Sequence, residues 1–426
     1  MVKKTLDFFK TNKLLKNLSV YFISQLITAL LPIIIIPIIS RALTLNDYGS
    51  YSLYKSIFGF LTPLVGLSFS NAVVRKYYNI EKNQFKSYML TLMATITVAA
   101  ILIYLIILID LKFLLKVLKI QDPSILYFAL AVTYFTSVSA ILVGFYRVVD
   151  DTKKYLFSNL IIILLTIVGV FYIKNYHILT LTNLMWIHLM AILVSVIYNL
   201  LTFFSSEKNI KLDFTNLKDT LKYCFPLIIF SLLAQIYALG DRFFINYYLD
   251  KDSLALYSAG LQMAFLIPMI GQSIQLAWTP YVFDQMTNNK KNHKLSQITY
   301  MFCGVLVFFS IAYCVIYPFI FKIFLPISYQ SVLQYYYLFI IAGLFQSLYW
   351  LYNPFLLFYE KNAYFIYITL IAAIVSITLN FIFVKNGLIW IAAIYTLSWS
   401  IQFVCLIIII KYVKNAKKNK LLDPKI

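Results

Sequence analysis

Few side chains in this chain could do chemistry, and the clearest of them sit where charge is costly. Lys55 lies in an apolar stretch, Tyr48–Phe69, with Ser52, Ser56, Gly59, Thr62, Pro63 and Gly66 at steps of three and four. At helical spacing these residues share one face. Asp241 and Arg242 interrupt a second apolar stretch, and Ser231, Gln235 and Ala238 fall on the same face as Arg242. A charge inside a membrane helix costs about 3 kcal/mol on insertion scales unless it reaches water or a partner. Lys55 has two ways out: an interior water-lined cavity, or snorkelling to the interface. A small-residue helix contact accounts for its neighbours but not for the lysine. Adjacent residues do not face each other on a helix. Asp241 and Arg242 are therefore expected to have different partners. A structural ion pair with another helix and a substrate or proton role both fit them.

Other chemistries find no support. The cysteines (Cys224, Cys303, Cys314 and Cys405) form no C-x-x-C pair and lie in apolar segments, as buried small hydrophobes do. His177, His188 and His293 are scattered, so no metal constellation is expected. No Gly-rich phosphate loop with its lysine is present. The expectation is a protein without cofactor or metal that is not an enzyme.

The elements that must position Lys55 and the Asp241–Arg242 pair follow from composition. Hydrophobic residues make up 62% of the chain and charged residues 12%; mean hydropathy is +0.82. Soluble domains carry about 25% charged residues. The net charge of +20 could suggest nucleic acid, but the lysines occupy short hydrophilic breaks between apolar runs, which is the pattern of membrane topology.

A helix needs about 20 apolar residues to cross the hydrocarbon layer, and twelve stretches qualify. They are Leu18–Ser40, Tyr48–Phe69, Tyr88–Ile109, Ser124–Tyr146, Tyr155–Ile173, Leu184–Phe204, Cys224–Leu249, Leu254–Pro280, Ile298–Phe321, Tyr335–Phe358, Tyr364–Val384 and Gly387–Ile410. The expected fold is an all-α membrane protein of twelve transmembrane helices. The basic start, Met1–Asn17, lacks a small-residue cleavage site, and the first apolar run is read as a retained helix. With the N-terminus cytoplasmic, 26 of the 36 Lys and Arg residues fall on the inside and 8 on the outside. That excess places both termini in the cytoplasm. Residues 205–223, hydrophilic and near the chain midpoint, mark an inter-lobe linker between an N-terminal lobe (1–204, helices one to six) and a C-terminal lobe (224–426, helices seven to twelve).

The halves echo each other. Leu61-x-Pro63-x-x-Gly66-x-Ser68 recurs as Leu266-x-Pro268-x-x-Gly271-x-Ser273, and Tyr51-Ser52 as Tyr257-Ser258. Six helices per half leave both halves the same way up, which is a parallel repeat. Polar stripes run along the first two helices of each half: Tyr21, Gln25, Thr28 and Pro32; the Lys55 face; the Arg242 face; and Ser258, Gln262, Pro268, Gly271, Gln272 and Gln275. The prolines are expected to kink these helices. The 35 Tyr and 36 Phe could stack on sugar rings or anchor helices at the interface; no sugar contact is assigned to any one of them.

Together these residues resemble one family. The stretch from Pro37 through Arg41, Ala42, Leu43, Asp47, Tyr48 and Gly49 to Tyr51 resembles the first-loop signature of the Wzx-type polysaccharide flippases. Gly66-Leu67, Asn71-Ala72, Arg75, Pro226, Asp241-Arg242, Tyr257-Ser258 and Ala277-Trp278-x-Pro280 extend the resemblance. One departure is Thr44, where the family usually has Gly, so a different turn is expected there. The resemblance implies a MATE-like fold of two six-helix lobes around a central cavity, working by alternating access. It implies an undecaprenyl-diphosphate-linked oligosaccharide moved from the cytoplasmic to the outer face of the inner membrane, for surface polysaccharide such as O-antigen or capsule. Implied partners are that lipid-linked substrate, membrane lipids, and polysaccharide polymerase with its chain-length machinery, with no nucleic acid. Arg41, Lys55, Arg75 and Arg242 could neutralise the diphosphate through charge-assisted hydrogen bonds. Interface anchoring explains Arg41 and Arg75 equally well. Asp241 would orient a cation or couple a proton.

Two other readings compete. A cation-coupled small-molecule exporter of the MATE type would want an embedded acid in the N-terminal lobe, and none is expected there. A membrane polysaccharide polymerase would want a long outer loop, whereas none here exceeds roughly fifteen residues.

Overall fold

Lipid offers the backbone no hydrogen-bond partner, so an apolar chain of this length must satisfy itself in helices. The computed structural model describes residues 27, 31–32, 34–176, 179–205, 211–287, 292–359, 361 and 363–422. Residues 34–42 are helical. The helices that follow are α1 (Leu45–Gly66), α2 (Phe69–Lys76), α3 (Lys82–Ile109), α4 (Leu111–Val117), α5 (Ser124–Val148), α6 (Thr152–Asn175) and α7 (Leu181–Phe204). After them come α8 (Leu217–Tyr248), α9 (Lys251–Ala264), α10 (Leu266–Thr287), α11 (Asn292–Phe324), α12 (Tyr336–Phe358), α13 (Ala363–Phe383) and α14 (Leu388–Leu422).

Among the described residues, nine helices are long and apolar enough to cross a membrane, or up to eleven if each of two bent pairs is one span. The protein is a multi-pass membrane protein. The expected first span, Leu18–Ser40, lies largely outside the described residues. The second and eighth expected spans are not single helices. The second breaks into α1 and α2, bent by 41°, and the eighth into α9 and α10, bent by 40°. At the first break Leu67 and Ser68 both adopt left-handed backbone, with φ of 49° and 54°. At the second, Pro268 lacks the N–H that would bond the Ala264 carbonyl. Carbonyls near the break also accept from neighbouring side chains. Tyr313 donates to Met263 O at 2.7 Å, Tyr317 to Gly260 O at 3.1 Å and Ser347 to Ile267 O at 3.1 Å.

Thr44 answers the departure noted at the first turn. Its hydroxyl accepts the Asp47 N–H at 3.1 Å and donates to Asp47 Oδ2 at 2.9 Å. A threonine cap with an acid three residues on starts α1 without glycine.

Contacts divide the chain into two compact units, Met1–Gln235 and Ile236–Ile426. In the first, α5 packs on α1, α2, α3, α6 and α7. Polar side chains hold it: Asn199 Nδ2 donates to Ser158 Oγ at 2.8 Å, and Ser158 and Ser195 bond at 3.1 Å. Residues 211–224 also belong to this unit. Backbone N–H groups of Lys211 and Asp213 donate to the Ser87 and Thr91 hydroxyls of α3. Lys76 donates to Asn216 Oδ1 at 3.3 Å, and the Tyr88 and Thr220 hydroxyls bond at 2.9 Å. In the second unit α12 packs on α9, α10, α11 and α14. Trp278, buried, donates to Leu351 O at 3.0 Å.

The repeated motif has the same neighbour in each unit. A Cβ added at Gly66 on α1 would meet Ser137 of α5, and one added at Gly271 on α10 would meet Ser347 of α12. In both units the motif glycine lets its helix approach the helix that crosses after the next hairpin.

Candidate functional site

The first unit places Lys55 about 15 Å along α1 from its start, near the middle of a span. Its side chain is exposed, although Tyr54 and Ser56 on either side are buried. Its Nζ lies 5.5 Å from the Phe58 ring centroid, a cation–π distance. Among the described residues no carboxylate pairs with it. His188 of α7 joins it. The Tyr54 hydroxyl and His188 Nδ1 lie 2.8 Å apart. The imidazole meets Phe58 edge-on at 5.5 Å, and Tyr51 stacks on Tyr54 at 6.0 Å. Sequence alone left His188 among scattered histidines, because its partners are more than a hundred residues away. The signal that could have exposed it is a histidine inside an apolar run.

Arg41 and Arg75 do not join this cluster. Arg41 is exposed at the end of the helical segment before α1. Arg75 is exposed in the last turn of α2, and its guanidinium lies 4.1 Å from the Tyr223 ring centroid. About 30 Å of helical path separates Lys55 from Arg75, and about 20 Å separates it from Arg41. One diphosphate cannot touch all three. Arg75 instead holds residues 211–224 against α2.

In the second unit Asp241 is 3% exposed and carries the charge of the site. The expectation of separate partners for Asp241 and Arg242 is corrected by the structure. The guanidinium folds back along α8, so that Nη1 donates to Asp241 Oδ1 at 3.0 Å and to Ala238 O at 2.8 Å. Flexible arginine stems reach what helix geometry denies to short side chains. Asp241 Oδ1 also accepts the Arg242 N–H at 2.8 Å, and Oδ2 accepts from the Tyr257 hydroxyl. Tyr257 is the repeat counterpart of Tyr51. Among the described contacts Arg242 uses Nη1 alone, leaving the Nε and Nη2 donors of its planar fork for another acceptor.

The two units thus carry different electrostatics. The first presents a lone cation on an aromatic floor. The second presents a cation already paired with an acid. Neither unit brings together three His, Cys, Asp or Glu side chains able to hold a metal, among the described residues. An apolar cavity of about 410 Å³ between α3 and α5, lined by Thr97, Tyr104, Tyr127 and Tyr134 among others, contains none of these charges.

The site thus consists of charged side chains set on broken, apolar helices long enough to cross a membrane. Comparison with known proteins gives the family. Residues 14–286, nearly two thirds of the chain, match the family described as "Polysaccharide biosynthesis protein", and residues 226–382 match MatE. The chain belongs to the polysaccharide biosynthesis protein family, and the family resemblance read from the sequence holds. Two Haemophilus influenzae proteins are similar over about two thirds of their length. "Lsg locus putative protein 1" is 24% identical over 297 residues, covering 65% of this chain and 68% of the relative. An "Uncharacterized membrane protein" is 25% identical over 285 residues, covering 64% and 66%. Among solved structures, an inward-facing multidrug resistance MATE family transporter of the MOP superfamily superposes with a TM-score of 0.73 at 12% identity, covering 91% of this chain and 96% of the other. The lipid II flippase MurJ, in an inward closed conformation, gives 0.69 at 15% identity, covering 92% and 86%. The fold is that of the MATE/MOP superfamily.

Proposed function

We propose that this protein flips an undecaprenyl-diphosphate-linked oligosaccharide from the cytoplasmic to the outer face of the cytoplasmic membrane, by alternating access, for a surface polysaccharide such as O-antigen or capsule. The observation that carries the reading is Lys55, an exposed cation near the middle of a spanning helix with no acid among the described residues to neutralise it. A protein keeps such a charge where it meets water or an anion. A diphosphate is that anion, and the polysaccharide family supplies the class of molecule that carries one.

In this reading Lys55 and Arg242, one in each unit, take the diphosphate during transit, with Arg41 and Arg75 drawing anionic headgroups toward opposite ends of the α1–α2 path. Asp241 orients Arg242 or couples a proton. The chain crosses twelve times with both termini cytoplasmic. Eleven of those crossings correspond to the nine spans and two bent pairs, and the twelfth to Leu18–Ser40. Substrate repeat units would pass on to a polymerase and its chain-length partners.

The MatE match favours one rival, a cation-coupled small-molecule exporter. Deleting the gene in a strain without a redundant flippase separates the two. Loss of surface glycan with lipid-linked repeat units held on the cytoplasmic leaflet supports the flippase, and normal surface glycan refutes it. Lys55→Gln at normal membrane abundance should lose export, and Lys55→Arg should restore it.

A further inference from the structure

Resting on that reading, we infer that His188 is a second ligand for the substrate's diphosphate, acting beside Lys55 in the first unit, with Tyr54 as the positioning residue that fixes which imidazole nitrogen carries the proton.

The argument starts from the Tyr54 hydroxyl. Tyr54 is fully buried, and among the described residues its hydroxyl has one partner, His188 Nδ1 at 2.8 Å. If Nδ1 carried the proton and donated to Tyr54, the tyrosine O–H would be left buried without an acceptor. A buried donor left unsatisfied is costly. Donation from Tyr54 to Nδ1 satisfies both atoms. It fixes the neutral imidazole with its proton on Nε2, so Nε2–H is a donor directed away from Tyr54.

That donor and the Lys55 ammonium share surroundings. Lys55 Nζ and the centroid of the His188 ring each lie 5.5 Å from the Phe58 centroid. Lys55 is exposed and His188 partly so. α1 and α7 run in the same direction, since three crossings, α3, α5 and α6, lie between them. Lys55 lies about 15 Å along α1 and His188 about 10 Å along α7, so both reach a similar depth. Among the described residues no acid is seen to contact the cluster, whose other members include Tyr51, Tyr54 and Phe58. One ammonium and one N–H donor on an aromatic floor, without a competing carboxylate, match a phosphoryl group by charge and hydrogen bonding.

The test measures binding of farnesyl diphosphate, inorganic pyrophosphate and farnesol to the full-length protein purified in detergent. Thermal unfolding is followed on each variant. The variants are Lys55→Gln, His188→Phe, His188→Gln, Tyr54→Phe and the double variant Tyr54→Phe/His188→Phe. Lys55→Gln and His188→Phe should each weaken farnesyl diphosphate binding about tenfold and leave farnesol unchanged. His188→Gln accepts from Tyr54 and still offers N–H donors, so it should recover most of the loss. Tyr54→Phe should weaken binding several-fold in the wild-type background and add nothing once His188 is Phe, which is the signature of a residue acting through another. Weakening shared by pyrophosphate assigns the site to the phosphates; weakening confined to farnesyl diphosphate assigns it to the headgroup as held on its lipid. Both support the inference. If farnesyl diphosphate binds, Lys55→Gln weakens it and His188→Phe does not, the inference fails while the flippase reading stands. If His188→Phe does not fold, a His188→Gln protein that folds and loses as much binding as Lys55→Gln overturns the inference; where His188→Phe does fold, additive loss in the double variant overturns it. If the wild-type protein binds no diphosphate, both the reading and the inference fail.

Discussion

Substituting the two motif glycines by alanine should have unequal effects. A Cβ at Gly66 would lie 3.0 Å from Ser137 Oγ and 3.5 Å from its Cβ. The nearest atom is the end of a small side chain that can rotate away. A Cβ at Gly271 would fall on the Ser347 Cβ and Oγ and lie 2.8 Å from its Cα. There α10 and α12 must separate, because backbone cannot rotate aside. Overpacking of this kind costs about 1–3 kcal/mol, whereas Gly66→Ala should stay within about 1 kcal/mol, helped by alanine's helix propensity. Ser347→Ala should not rescue Gly271→Ala, since the conflict includes the Cβ and Cα. Ser347→Gly should rescue it in part, because it removes the Cβ and Oγ and leaves the Cα. Alone, Ser347→Gly loses hydrogen bonds to Ile267 O and Gly343 O and adds a helical glycine, about 1–2 kcal/mol together. Adding Gly271→Ala to Ser347→Gly should cost less than adding it to the wild type, a coupling of about 1 kcal/mol. Thermal unfolding in detergent, read by loss of the monodisperse peak, reports the order. Equal shifts for Gly66→Ala and Gly271→Ala, or full rescue by Ser347→Ala, would refute the packing argument.

Three further outcomes are expected. Asp241→Ala leaves Arg242 buried without its acid and should cost about 3–5 kcal/mol, with Asp241→Asn costing less; equal stability of all three proteins in thermal unfolding would contradict this. Ser68→Gly relieves left-handed backbone at the α1–α2 break and should stabilise by about 0.5–1 kcal/mol after glycine's own entropy; a lower melting temperature would count against the strain. Asp151, in the turn between α5 and α6, is held below its ordinary value of 3.8: burial alone would raise it, and hydrogen bonds from Lys154 with the charges of Lys154 and Lys153 more than reverse that. A carboxyl depressed by folding adds stability above 3.8 and loses it as pH falls through the folded value. Asp151→Asn keeps the cap at the Lys154 N–H, so its stability should fall less than that of the wild type below about pH 4, by roughly 0.2–1 kcal/mol.

Much of the fold was legible because lipid permits few solutions. Apolar length alone located most spans, and the shared Gly-x-Ser motif marked matching packing sites in both halves. The helix breaks were only partly legible. Pro268 announces one of them, but Pro63 lies inside unbroken α1 and the break comes at Leu67 and Ser68, whose residue types give no warning. Lys55 was visible as an anomaly of charge. His188 was not, because its meaning depends on Tyr54 and Phe58 across the bundle. The Asp241–Arg242 bond was missed because helix-face reasoning treats side chains as pointing straight out, and the arginine stem curls back one turn.

The docking of residues 211–224 onto α2 and α3 bears on where this chain can be cut. A hydrophilic stretch near the midpoint invites expression as two complementing fragments. A break between 205 and 211 would strand the segment that Ser87, Thr91 and Tyr88 grip, along with the first half of α8, on the C-terminal fragment. The N-terminal fragment would then lack part of its own packing, and the C-terminal fragment would carry an amphipathic tail with nothing to cover it. The division between the compact units falls at Gln235, inside an unbroken helix, so no cut in a loop releases two intact halves.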